Sequence, residues 1–100
     1  MPIVSVPLTL TLISRRDCHL CEAMAMAIAA ARGEVGFELS VRDVDADAEL
    51  LARYSDQVPV LLVNGRKAFK YRVSAAVLVR RLRAEQRRDR RRGWFGWLPP

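Results

Sequence analysis

Two cysteines separated by two residues, Cys18 and Cys21, lie where a predicted strand gives way to a predicted helix. Residues 8–13 alternate apolar side chains with threonines, which predicts the strand. Residues 14–17 are polar and predict a turn. Across residues 20–32 apolar side chains recur at helical spacing up to a glycine, which predicts the helix. The chain is thus restricted to folds in which a strand leads into a helix through a reactive or metal-binding turn.

The rest of the chain predicts a single α/β domain with a four-stranded mixed sheet. Residues 37–44 alternate apolar and polar side chains, which predicts a second strand, and a helix joining it to the first gives a right-handed unit with parallel strands. The predicted order is β-α-β-α-β-β-α, with helices flanking the sheet. Asp45 and Asp47 are expected to cap a short helix through Leu50, Leu51 and Arg53. A buried strand over residues 60–63 and a strand over residues 66–71 are then joined by a hairpin turn at Asn64-Gly65. Ser74 caps a last helix, whose apolar face is Ala75, Val77 or Leu78, and Leu82.

Composition and charge place the end of the folded domain near residue 84. The chain has 100 residues, of which 51% are hydrophobic and 28% are charged, and this suits one globular domain. Most of the formal net charge of +6 lies in residues 83–100, where arginines outnumber Glu85 and Asp89. We expect a folded domain over residues 1–84 and a basic, flexible tail over residues 85–100 that contains aromatic side chains, with its last ten or so residues frayed.

The apolar stretch over residues 3–13 has neither the basic start nor the cleavage site of a signal peptide, and it is too short to span a bilayer. We therefore expect a cytoplasmic protein. In a reducing cytoplasm, two closely spaced cysteines are more often redox-active or metal-binding than a structural disulfide.

The cysteine spacing suits thiol-disulfide exchange, which needs an attacking thiolate and a second thiol within reach. Residues three apart share a helix face, so the two sulfurs can meet. Cys18 lies at the helix start, where unpaired N–H groups and the helix dipole stabilise a thiolate. We assign Cys18 as the nucleophile and Cys21 as the resolving thiol. Arg15 and Arg16, on the preceding turn, would strengthen the preference for an anion or steer an acidic substrate.

Other uses of the cysteine pair fit the surrounding residues less well. A structural zinc site needs four ligands, and Cys18, His19 and Cys21 supply three. Haem attachment needs a histidine directly after the second cysteine, where Glu22 stands. His19 either takes part in catalysis or only covers the helix end. We therefore predict no metal site within the chain and no bound cofactor.

Over residues 8–82 the chain resembles the glutaredoxin branch of the thioredoxin fold, particularly the short bacterial glutaredoxin-like proteins. The resemblance implies that Cys18 is exposed and attacks a disulfide, and that Cys21 resolves the product. It also implies that Pro59, about forty residues after the motif, is a cis-proline facing the dithiol. The backbone of Val58 would then be free to pair with an extended thiol peptide. In the alternative interpretation Pro59 marks only the start of a strand.

Two features of typical glutaredoxins are absent from the chain. The dipeptide between the cysteines is His19-Leu20 where the family has Pro-Tyr, and the Gly-Gly pair that helps to hold glutathione is missing after the hairpin. Two candidate sources of electrons stay open: glutathione as a co-substrate, and a thioredoxin-type reductase as a partner. Tyr71 either lines the substrate groove or packs on the edge strand. The basic residues that suit the carboxylates of glutathione are Arg15, Arg16, Lys70 and Arg72.

Two further interpretations stay open. An iron-sulfur or metal-binding assembly module would use Cys18 with an exogenous thiol and would require a bridged dimer, whereas exchange chemistry suits a monomer. The arginine-rich tail with Trp94, Phe95 and Trp97 would contact RNA, DNA or an anionic membrane surface, or else it would be solvated and fold back on the domain.

Overall fold

The predicted order of elements, β-α-β-α-β-β-α, is confirmed by the structure. A computed structural model describes residues 7–96, and it describes side chains as far as residue 88. A short 3-10 turn, Val44–Ala46, follows the second strand. The strands are β1 (Leu8–Ser14), β2 (Phe37–Asp43), β3 (Val60–Val63) and β4 (Arg66–Lys70), and the helices are α1 (His19–Ala31), α2 (Ala48–Tyr54) and α3 (Ala75–Gly96).

The four strands form one mixed sheet in the order β2-β1-β3-β4. β1 runs parallel to β2 and antiparallel to β3, and β3 runs antiparallel to β4. In this register Ile13, near the end of β1, lies opposite Val60, the first residue of β3. The turn that follows β1 and the segment that precedes β3 therefore meet at one end of these two central strands.

Alternation along the strands divides the apolar side chains between the two faces of the sheet. On one face, α1 and α3 cover the larger core, to which β1 contributes Leu8, Leu10 and Leu12. On the other face Ile13 and Val60 form a smaller cluster, against which Leu50, Tyr54 and Val58 pack. The result is a three-layer domain with α1 and α3 on one side of the sheet and α2 on the other. The buried helical side chains of the larger core are Met24, Ile28, Ala31, Leu78, Val79 and Leu82.

The Asn64-Gly65 hairpin is confirmed, whereas the expected cap at Asp45 is wrong. Asn64 and Gly65 have φ values of 51° and 82°, as a tight hairpin turn requires. The N-cap of α2 is Asp47, whose carboxylate accepts the N–H groups of Glu49 and Leu50. Asp45 lies inside the 3-10 turn, and its carboxylate binds Arg15 instead.

The last helix is longer than its sequence pattern predicts. Ser74 begins it as expected, because its hydroxyl accepts the N–H of Val77. The periodic apolar pattern fades past Arg83, whereas α3 continues to Gly96. Arginine, alanine and glutamine are good helix formers, and Glu85 lies within 3.4 Å of Arg81 and 3.7 Å of Arg88, which offsets repulsion among the arginines.

The division into a domain over residues 1–84 and a flexible tail over residues 85–100 therefore falls inside a helix, and the flexibility of this segment stays a prediction. Residues 97–100, which include Trp97, lie outside the described residues. Over residues 7–96, the structure contains no helix that is both long enough and apolar enough to cross a membrane.

Candidate active site

The two cysteines occupy the first turn of α1 and are joined as a disulfide with their Cα atoms 5.2 Å apart. Cys18 is the N-cap residue, with an extended backbone at φ −116° and ψ 106°. Its Sγ accepts a hydrogen bond from the backbone N–H of Cys21 at 3.2 Å. A sulfur thus takes the capping position that serine or aspartate oxygens usually fill, where otherwise unpaired N–H groups point at it.

Solvent reaches the two sulfur-bearing residues unequally. Cys21 is buried, with 5% of its surface exposed, among the side chains that α1 turns towards the sheet. Cys18 is half-buried at the start of the helix. The residue between them that was singled out in the sequence, His19, projects fully into solvent, and its ring nitrogen lies 3.9 Å from the carboxylate of Glu22. Of the two cysteines, Cys18 is therefore the more accessible to solvent.

Arg15, which the sequence suggested as an anion-binding residue, is engaged within the protein. Its guanidinium donates to both carboxylate oxygens of Asp45, at 2.9 and 3.1 Å, and to the carbonyl oxygen of Ser55 at 2.9 Å. The hydrogen bond from Arg15 holds the pKa of the Asp45 carboxyl below its usual range, and the same bond raises the pKa of Arg15. Arg15 therefore ties the turn before Cys18 to the end of α2. Its neighbour Arg16 is exposed.

Val58 and Pro59 lie at the same end of the two central strands as the cysteine turn. The Val58–Pro59 peptide bond is cis. Pro59 is fully buried and Val58 is half-buried. Because Val60 is opposite Ile13, these two residues stand across from the end of β1, from which the chain leads through three residues to Cys18.

Tyr71 holds the segment before β3 from the other side. Its backbone N–H donates to the carbonyl oxygen of Pro59 at 2.8 Å, and its hydroxyl donates to the carbonyl oxygen of Asp56 at 3.1 Å. It adopts φ 68°, it is 40% exposed, and the Lys70 ammonium lies 5.3 Å from the centre of its ring. Tyr71 is thus both a surface residue and a structural contact of the segment over residues 56–59.

Sequence reasoning missed the roles of Asp45 and Ser55 as partners of Arg15. They lie 30 and 40 residues away along the chain, and only the pairing of β1 with β2 and β3 brings them together. No local pattern reports such a contact. Among the side chains that the structure describes, no group of three or more histidine, cysteine or acidic residues is arranged to hold a metal ion.

A four-stranded mixed sheet covered by helices, with a cysteine pair at the start of the first helix, defines a protein of the thioredoxin-like class. The sequence profile of the family described as Glutaredoxin-like domain (DUF836) matches residues 9–83, a span that contains every residue discussed above for the site. The chain belongs to this glutaredoxin-like family.

Relatives and solved structures agree with this assignment. An uncharacterized protein of Mycobacterium tuberculosis is 33% identical over 93 residues, covering 88% of each chain. The structure of a structural-genomics target protein from X. campestris is 37% identical with a TM-score of 0.64, covering 75% of this chain and 96% of that one. The protein Ne2328 of Nitrosomonas europaea is 30% identical with a TM-score of 0.67, covering 78% and 94%.

A more distant likeness extends to thioredoxin itself. Thioredoxin 1 of Thermosipho africanus is 15% identical, with a TM-score of 0.60 over 82% of this chain and 98% of that one. At this identity the likeness concerns the fold alone.

Proposed function

We propose that the protein is a thiol-disulfide oxidoreductase in which Cys18 attacks a substrate disulfide and Cys21 resolves the mixed disulfide. The observation that carries the proposal is the unequal exposure of two cysteines that are close enough to pair. The half-buried Cys18 meets substrate, and the buried Cys21 meets only Cys18. Disulfide exchange needs one thiol that reaches the substrate and a second thiol that reaches the mixed disulfide, and the two exposures suit these two roles.

The reaction balances with the two cysteines and one external reductant. The Cys18 thiolate attacks one sulfur of the substrate disulfide, a mixed disulfide forms, and the other substrate sulfur leaves as a thiolate that takes up a proton. Cys21, having lost its proton, then attacks the Cys18 sulfur, which releases the second substrate thiol and leaves the Cys18–Cys21 disulfide. Two electrons have passed to the substrate. Two equivalents of a monothiol such as glutathione, or one protein dithiol, restore the reduced pair.

The position of Cys18 supports its role as the attacking group. The backbone N–H of Cys21 points at the Cys18 sulfur, and the positive end of the α1 dipole lies at the same place. Both favour the thiolate over the thiol. In our proposal this makes Cys18 reactive at neutral pH, in a reducing compartment such as the cytoplasm where the pair is returned to its dithiol form.

The surface beside Cys18 suggests where a substrate would lie. Val58 precedes β3 and takes no part in the pairing of that strand with β1 or β4. An extended peptide carrying the target cysteine would pair with this backbone, in the manner of an added strand. Arg16, His19 and Tyr71 are exposed. In our proposal they border this surface, and Arg16 replaces Arg15 as a cation available to an acidic substrate.

The two cysteines are distinguished by paired variants. Cys18→Ser should abolish reduction of a small aromatic disulfide, because it removes the attacking sulfur. Cys21→Ser should accumulate a mixed disulfide between Cys18 and half of the reagent, because nothing resolves it. Intact-protein mass spectrometry detects this adduct. Full activity of Cys18→Ser, or an adduct that forms on Cys21 in that variant as fast as on Cys18 in the other, would contradict the assignment.

A further inference from the structure

The net charge of the protein is concentrated in one element. Basic and acidic side chains are equal in number outside α3, nine of each. Within α3 eight arginines face two acidic residues, Glu85 and Asp89, so this helix accounts for the entire formal charge of +6. All eight basic residues of the helix are arginine and none is lysine. The planar guanidinium group binds phosphate oxygens through two parallel hydrogen bonds, which a lysine cannot do.

The arginines of the helix are not equally available. Glu85, which is 5% exposed, lies between Arg81 and Arg88 and pairs with both. On a different face, spaced by three and four residues, Arg80, Arg83 and Arg87 line a shallow hollow beside Glu34. Arg83 is 3.8 Å from the Glu34 carboxylate. Arg80 and Arg87 are exposed, and no ion pair joins either of them to an acid among the side chains described.

The composition of the helix identifies the kind of polyanion that it suits. A helix that lies on a membrane surface presents a broad apolar face beside its basic face. Between Arg83 and Gly93 the only apolar residue is Ala84, and the apolar residues Trp94 and Phe95 follow only at the end of the helix, so no broad apolar face runs along the basic stretch. At 3.6 residues per turn, the spacing of the eight arginines in the sequence corresponds to an arc of about 200°, which is wide enough to meet phosphates on both sides of a groove. The major groove of DNA is about 12 Å wide and admits an α-helix about 10–12 Å across.

We propose that α3 binds the phosphate backbone of double-stranded DNA, with Arg80, Arg83 and Arg87 among its contacts. The helix is about 33 Å long. Its last buried residue among the described side chains is Glu85, so about three turns follow the part that packs on the domain. Contacts of this kind read the phosphate backbone and are independent of sequence.

The proposed surface lies away from the cysteine pair. Glu34 follows the end of α1, whereas Cys18 precedes its start, and a helix of 13 residues separates them by about 20 Å. DNA bound at Arg80 and Arg87 would therefore leave Cys18 open to a thiol substrate. The binding proposal accordingly does not depend on the exchange activity, and each can fail alone.

The test measures binding of the full-length protein to a short fluorescent DNA duplex of mixed sequence at several salt concentrations. Arg80→Gln/Arg87→Gln should weaken binding on the order of tenfold and lower the slope of log affinity against log salt by about 1.8, for two lost phosphate contacts. Glu34→Gln should strengthen binding, because it removes a carboxylate beside the arginines. Arg53→Gln/Arg66→Gln makes the same charge change elsewhere on the domain and should leave affinity nearly unchanged.

Three results would overturn the proposal. One is an equal loss of affinity in the two double variants, because binding would then follow net charge alone. Another is tighter binding to vesicles of anionic phospholipid than to the duplex, which would identify a membrane contact. The third is tighter binding to a single strand of the same sequence, which would exclude insertion into a groove. The parent protein, the two double variants and Glu34→Gln should all reduce a small disulfide at the same rate. This comparison checks that the substituted surface is separate from Cys18.

Discussion

At the scale of single residues, position along the helix gives the two cysteines different roles. Cys18 ends the extended turn and caps α1, whereas Cys21 faces inward one turn later. Arg15 supports this arrangement at a distance, because its three hydrogen bonds reach Asp45 and Ser55 rather than solvent. A residue that local sequence marks as a substrate contact thus joins two segments of the domain. The spacing of the cysteines was readable from sequence, whereas a bond to a residue 30 positions away was not.

The Arg15–Asp45 bond predicts how stability depends on pH. Because the bond lowers the pKa of Asp45 in the folded state, it stabilises the fold fully at pH values above the unfolded pKa of about 3.9. This stabilisation is lost as pH falls through the lower folded value. Asp45→Asn should therefore be less stable than the parent protein at neutral pH, and the difference should shrink as the solution is acidified below about pH 4. Urea denaturation at a series of pH values measures this.

The matched control is Asp45→Asn in an Arg15→Gln background, where the partner is already absent. The substitution should then have little effect at any pH, since the two residues act through one interaction. A destabilisation by Asp45→Asn that is independent of pH would show that the charge of the carboxylate is not what Arg15 recognises.

At the scale of elements, turn chemistry was predictable and helix length was not. Asn64-Gly65 determines the β3-β4 hairpin locally, through backbone conformations that few other residues adopt. The end of α3 depends on a balance between arginine repulsion and helix propensity, in which Glu85 offsets part of the repulsion. A run of like charges predicts a tail when it is considered alone, and it is compatible with a helix once these pairs form.

Two exposed glycines, Gly65 and Gly36, provide a matched test of the hairpin. Gly65 has φ +82°, and a methyl group added there would meet no atom within 4 Å, so Gly65→Ala carries only a backbone penalty, of about 1–2 kcal/mol. Gly36→Ala also meets no atom within 4 Å and has no positive φ. It should be neutral or stabilising by about 0.4–1 kcal/mol. Thermal unfolding of both variants measures the difference, and equal stability would mean that the turn does not hold Gly65 in this conformation.

At the scale of the whole molecule, the domain separates the cysteine turn from a basic helix. The cysteine turn, the Val58–Pro59 segment and Tyr71 gather where β1 ends and β3 begins. The charged part of α3 extends from the opposite end of the larger core, beyond Leu82 and Glu85. The order of elements along the chain and the parallel βαβ unit followed from sequence patterns, because each pattern spans a contiguous segment. The gathering of the site followed only from the strand register.

This separation predicts the effect of shortening the chain. Deletion of residues 87–100 removes no side chain that contributes to either core among those described, so the shortened protein should fold cooperatively and keep its rate of thiol exchange. Leu82→Ala, by contrast, removes a fully buried side chain of α3 and should destabilise by about 2–5 kcal/mol. Denaturant unfolding with a disulfide reduction assay compares the two. Loss of exchange activity in a folded truncated protein would place the end of α3 at the active site.

The central claim is that Cys18 and Cys21 form a reversible redox pair. The most direct measurement is a titration of the full-length protein across a series of dithiol-disulfide buffers, with mass-mapped peptides at each potential. We predict a single two-electron transition in which one intramolecular disulfide between Cys18 and Cys21 appears and disappears reversibly. Failure of this disulfide to form under mild oxidation, or its persistence in strong reductant, would contradict the account.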